Sequence, residues 1–127
     1  MTQMTFAPKT PADMVNEYAE VSQQEGTEGL YRRLIDEEYT ELDNEMFWMK
    51  LGTGENPENE LKEMADLVYV LYGYARVKGY KLDRAIERVH KNNMGRMRQP
   101  DGTILRREDG KVIKNKDFPK VDLKDLV

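Results

Sequence analysis

Two pairs of carboxylates, Glu38 with Glu41 and Glu63 with Asp66, are the groups in this sequence best spaced to do chemistry. Residues three apart on a helix share a face with Cβ atoms about 5–6 Å apart, so two such helices packed together aim four oxygen donors at one point. That arrangement is a cage for a hard divalent cation, which prefers carboxylate oxygen to nitrogen or sulfur. A set of buried Arg or Lys ion pairs is the competing arrangement, since it satisfies carboxylates as well. With no cysteine and one histidine, His90, the chain has no thiolate nucleophile and no nitrogen or sulfur cluster to compete for metal.

The elements that must position these groups follow from apolar periodicity. Tyr31, Leu34, Ile35, Leu42, Met46 and Met49 recur at helical spacing, and Glu38 and Glu41 fall inside that stripe, where burial is expected. In the next segment, residues 64–72 are apolar nearly all round, the pattern of a buried helix, with Asp66 as the only charge. A buried carboxylate is costly unless it is paired or metal-bound. Thr10-Pro11 supplies a cap and a first-turn proline for a helix to about Gln24, which Gly26 is expected to end. A second helix spans 28–51, and the turn-rich stretch 52–57 separates it from a third, beginning at Glu58 or Asn59 and ending near Gly79. Leu82, Ala85, Ile86 and Val89 define a fourth to about Met94. The turn signals Pro100-Asp101-Gly102 and Asp109-Gly110 then flank 104–107 and 111–114, which read as a short β-hairpin, with 118–127 as a tail. The expected fold is all-α: an antiparallel bundle of four main helices (about 10–95) with a small C-terminal β-hairpin and tail (about 99–127), in a single domain over 1–127.

Charge is divided along the chain. Residues 13–66 hold 16 acidic and 4 basic side chains, whereas 76–98 hold 8 basic and 2 acidic ones. The first block suits metal and the second suits phosphate, unless the basic block is simply a solvated helix face. A nucleic-acid polymer is disfavoured as partner because the acidic block repels a polyphosphate backbone. No apolar run approaches a membrane span, and residues 1–9 lack a basic stretch followed by an apolar one, so a cytoplasmic protein without a signal peptide or membrane partner is expected. His90 reads as a structural hydrogen-bonding group and Trp48 as core or interface. Gly52-Thr53-Gly54 lacks the length and the lysine of a phosphate-binding P-loop.

Glu37-Glu38-x-x-Glu41, then 21 residues, then Glu63-x-x-Asp66 resembles the E-E-x-x-E and E-x-x-D signature of the all-α nucleoside triphosphate pyrophosphohydrolases. That superfamily includes MazG, dimeric dUTPases and phosphoribosyl-ATP pyrophosphohydrolase. Val89-His90-Lys91-Asn92-Asn93-Met94-Gly95-Arg96 and Arg107-Glu108-Asp109-Gly110-Lys111-Val112 are similar to a compact MazG-like group found in phages and bacteria. The resemblance implies hydrolysis of a nucleoside triphosphate to monophosphate and pyrophosphate, with Glu38, Glu41, Glu63 and Asp66 holding Mg²⁺ or Mn²⁺. It further implies Glu38 as general base with Glu37 behind it, and Lys78, Lys91, Asn93 and Arg96 on phosphate or sugar oxygens. Asn16 would lie near the base. It implies a homodimer or homotetramer in a bacterial or phage-infected cytoplasm, and by analogy it favours dGTP or another purine. Phosphoribosyl-ATP ranks second, because the hairpin strings suit the MazG-like group better. A non-enzymatic helical scaffold held by buried ion pairs is the third reading.

Overall fold

The structure is a computed structural model that describes residues 10–24, 26–52 and 56–127, with the side chains of Met49 and Lys50 excepted. The signal-peptide reading at 1–9, the turn and P-loop comparison at 53–55, and the place of Met49 in the apolar stripe lie outside the described residues. Among the described residues the elements are four α-helices and a two-stranded antiparallel hairpin, as the sequence predicts, and one short 3-10 turn. The chain divides into two compact units, one ending at Tyr80 and the other spanning Lys81–Val127.

In the first unit, Thr10 opens α1 (Pro11–Ser22) with a complete capping box: its hydroxyl accepts from the Asp13 amide, and the Asp13 carboxylate accepts from the Thr10 amide. Proline in the first turn loses no helical hydrogen bond. The helix ends earlier than expected, on Gln23 in the left-handed conformation (φ 59), while Gly26 (φ 70) belongs to the turn beyond. α2 (Glu28–Leu51) follows, and α3 (Pro57–Lys78) is capped by Asn56, whose side chain accepts from the Asn59 amide at 3.0 Å. Left-handed Gly79 closes α3.

α2 packs chiefly on α3, and α1 also packs on α3. The α2–α3 pairing is antiparallel, because each step forward along α2 is matched by a step back along α3. Glu28 pairs with Lys78, Tyr31 lies against Gly73, a Glu41 carboxylate oxygen lies within 4.8 Å of one on Glu63, and Glu45 accepts from Asn59. That ladder is what brings the two carboxylate motifs to the same level. Tyr31, Val15, Ala19, Tyr72 and Ala75 are buried, and the Tyr18 and Tyr69 rings meet edge to face at 6.0 Å.

α3 departs from the buried-all-round expectation: Leu61, Met64 and Val68 are 65%, 49% and 47% exposed. α1 and α2 pack on α3 from one side, and apolar composition alone does not say whether the other side is covered by the same chain.

The second unit contains α4 (Leu82–Arg96), β1 (Leu105–Arg106), β2 (Val112–Ile113) and a 3-10 turn at Lys124–Leu126. Leu105 pairs with Ile113 and Arg106 with Val112. The segment expected to be a tail is anchored: Leu126 is buried, its carbonyl accepts from the Lys81 amide at 2.9 Å, and Arg88 forks onto both Asp125 oxygens at 2.5 and 2.8 Å. That fork holds the Asp125 carboxyl down to about 2. A three-residue turn has too little periodicity to be read from sequence. No helix of the described residues is long and apolar enough to cross a membrane.

Candidate metal centre

Glu38 and Glu41 stand one turn apart on α2, and Glu63 faces them from α3. One carboxylate oxygen of each lies within 4.8 Å of the others. Their environments differ: Glu63 is buried at 6% exposure, Glu38 is half-buried and Glu41 is exposed. The sequence placed the lone buried carboxylate at Asp66. The structure gives that place to Glu63, because the α2–α3 register turns Glu63 into the helix contact and leaves Asp66 at its margin, 35% exposed.

Like charges at this separation resist ionisation. The Glu41 carboxyl is raised to about 7, first because it hydrogen-bonds Glu63 and then because of the charges of Glu38 and Glu63. Glu38 is also pushed up, by burial first and then by Asp66 and Glu63. The Lys62 ammonium opposes both shifts. Lys62, which sequence reasoning passed over, sits 2.8 Å from Asp66 Oδ2 and 3.5 Å from Glu63 Oε1. Its signal was the Lys–Asp spacing of four on one helix.

These residues fit a hard divalent cation. The donors are all carboxylate oxygens, and Glu38 Oε2 and Glu63 Oε2 are buried with no hydrogen-bond partner, a costly state that a cation relieves. A pH dependence follows. Below the ordinary value of 4.5, Glu41 is protonated in both folded and unfolded chains and the cluster costs nothing; by about pH 7 the folded state alone carries the repulsion. Stability from this group is therefore lost as pH rises from 4.5 to about 7. In chelator, the melting temperature of Glu41→Gln is expected to match wild type near pH 4.5 and to exceed it increasingly up to about 7; a gap that stays constant would contradict the raised Glu41 carboxyl.

Beside the carboxylates opens a cavity of about 230 Å³, whose lining includes Glu38, Asp66, Gln24 and the rings of Tyr18, Tyr31 and Tyr69. Gln24 Nε2 donates to the Tyr31 hydroxyl at 3.4 Å. These aromatic walls were not read from the sequence, because they come from three different helices or their ends.

The remaining expected site residues do not join the carboxylate cluster within the first unit, or belong to the second unit. Glu37 is exposed, about 100° round α2 from Glu38. Asn16 Oδ1 accepts from Arg76 Nε at 2.8 Å. Lys78 pairs with Glu28 at 3.1 Å, twelve residues and so about 18 Å along α3 from Asp66. Lys91 and Asn93 are exposed on α4, and Arg96, half-buried, has its Nε buried without a partner. These three belong to the second unit.

Among curated proteins, no significant match to the chain is found. Residues 3–93 match the family described as Phosphoribosyl-ATP pyrophosphohydrolase, a stretch that contains all four carboxylates and ends before the hairpin. This match moves the phosphoribosyl-ATP reading ahead of the nucleoside triphosphate reading that the hairpin strings had favoured. With most of its length matched, and with a helical fold that brings three of the four motif carboxylates together, the chain belongs to the phosphoribosyl-ATP pyrophosphohydrolase family.

Proposed function

We propose that the protein is a metal-dependent nucleotide pyrophosphohydrolase that cleaves its substrate between the α and β phosphates, leaving a nucleoside monophosphate moiety and pyrophosphate. The observation that carries this reading is the convergence of Glu38, Glu41 and Glu63 with two orphaned buried oxygens. Family membership and the aromatic-walled cavity support it.

Glu38, Glu41 and Glu63, with Asp66 at the margin, are the residues that would hold Mg²⁺ or Mn²⁺. When bound, such a cation supplies positive charge against phosphate oxygens and acidifies water. Glu38 is the general base: burial and neighbouring carboxylates raise its proton affinity towards the working pH, where a carboxylate best takes a proton from water. Glu37, exposed one residue earlier, adds charge from outside the contact. The tyrosine-lined cavity takes the nucleoside, with ring faces for stacking and hydroxyls for hydrogen bonds. Asn16, Lys78, Lys91, Asn93 and Arg96 are kept as substrate-binding candidates on the resemblance.

Phosphoribosyl-ATP is the substrate that the family match favours. A (deoxy)nucleoside triphosphate, with dGTP or another purine first, is the second reading. It is favoured by residues 94–127, which lie outside the match and carry the Arg107-Glu108-Asp109-Gly110-Lys111-Val112 string. The test is product identification across phosphoribosyl-ATP and the ribo- and deoxynucleoside triphosphates, with Mg²⁺, Mn²⁺ or chelator. Pyrophosphate released from at least one substrate, only with metal, is expected; orthophosphate with a diphosphate product, or no release, would contradict the proposal.

We also propose a homo-oligomer, a dimer or tetramer, because Leu61, Met64 and Val68 expose an apolar strip along α3. Light scattering should give a mass at least twice the 14.9 kDa of one chain; a 14.9 kDa species would contradict it.

A further inference from the structure

Lys62 is the cation of the carboxylate site, on the same helix as two of the acids. Its ammonium holds Asp66 at 2.8 Å and leans on Glu63 at 3.5 Å, yet its side chain is 65% exposed. Such an exposed ion pair is held weakly, and a lysine stem swings into solvent with no backbone movement. The two orphaned oxygens, on Glu38 and Glu63, are not reached by it. Lys62 therefore satisfies the Asp66 margin of the site and leaves the buried part unsatisfied. An ammonium on Asp66 Oδ2 and a divalent cation bound by either oxygen of the same carboxylate would lie within a few ångströms of each other and repel strongly.

We propose that Lys62 is a tethered counter-cation of the metal site. It occupies Asp66 when metal is absent, must be displaced for Asp66 to join the ligand set, and on displacement meets the negative charge of the incoming substrate's phosphates. The inference rests on the metal reading above. It makes metal and nucleotide loading mutually dependent, because phosphate that draws the ammonium away frees a fourth carboxylate, and the coupling is reciprocal. Lys62 is a positioning residue in this scheme; it leaves the reacting atoms to Glu38 and the metal ligands.

The test is calorimetric titration of Mn²⁺, without nucleotide, into wild type, Lys62→Met and Lys62→Arg, followed by KM and kcat for pyrophosphate release at saturating Mn²⁺. Lys62→Met is expected to bind Mn²⁺ about fivefold more tightly, the upper end of what an exposed ion pair withholds, and to show a KM raised by more than kcat is lowered. Lys62→Arg keeps the charge and should stay near wild type in both. Wild type binding Mn²⁺ with Lys62→Met binding it equally or more weakly would overturn the Lys62 proposal alone. Wild type binding no Mn²⁺ would overturn the proposal and the metal reading together.

Discussion

Glu63→Gln is expected to reduce pyrophosphate release by at least about 100-fold, since even partners one shell out from a metal cost 10- to 100-fold when removed. Glu63 is the most buried of the converging acids and is the largest cause of the raised Glu41 carboxyl. Glutamine fills the same volume and can donate to Glu41 or Glu38, so the metal-free protein should keep or gain stability as a like charge disappears. Activity and stability then move apart. The added stabilisation that Mn²⁺ gives wild type, which follows from binding the folded state alone, should vanish in the variant. A scaffold held by ion pairs predicts the opposite pattern: loss of the Lys62–Glu63 contact lowers stability, and Mn²⁺ has no effect on either protein. Thermal melts with and without Mn²⁺, read beside the rate, separate the two accounts.

Tyr31→Ala should destabilise the first unit by about 3–5 kcal/mol, the usual cost of deleting a large buried aromatic. Tyr31 is 6% exposed, and its ring lies against both Gly26 and Gly73, where an added Cβ at either glycine would fall inside the ring. The ring thus fills the gap that two missing side chains leave between the α1–α2 turn and α3. Gly73→Ala attacks the same contact from the other side and should cost about 1–3 kcal/mol by overpacking. Tyr31→Phe keeps the ring and loses only the 3.4 Å bond from Gln24, so it should cost less than about 1.5 kcal/mol. Denaturant melts of the three variants check the order. Equal losses for Tyr31→Ala and Tyr31→Phe would show that the hydroxyl, and not the packing, matters.

Much of this site is legible in the sequence because it depends on helical period and on one register. Thr10 and Gly79 mark helix ends by their own chemistry and α2 spans 28–51 as expected, whereas α3 begins on Pro57 behind the Asn56 cap, earlier than the expected Glu58 or Asn59. The four carboxylates could be named because a spacing of three fixes their face, whatever the partner helix does. Which of them would be buried was not legible: Glu63 rather than Asp66 turns inward because of the α2–α3 pairing, a long-range fact. Lys62 was hidden by its ordinariness as one exposed lysine among many. The cavity walls were hidden for a different reason, since Tyr18, Tyr31 and Tyr69 read individually as core. Leu126 and Asp125 anchor the C-terminal end through a turn too short to show a period. Substrate choice depends on the shape of a binding cavity, and residue spacing carries little of that.

The most direct measurement of the central claim is the anomalous-scattering map of a crystal soaked in Mn²⁺. A single strong peak bonded to carboxylate oxygens of Glu38, Glu41 and Glu63 is the predicted result. A map with no peak there, and the Glu38 and Glu63 oxygens instead satisfied by arginine or lysine side chains, would contradict it.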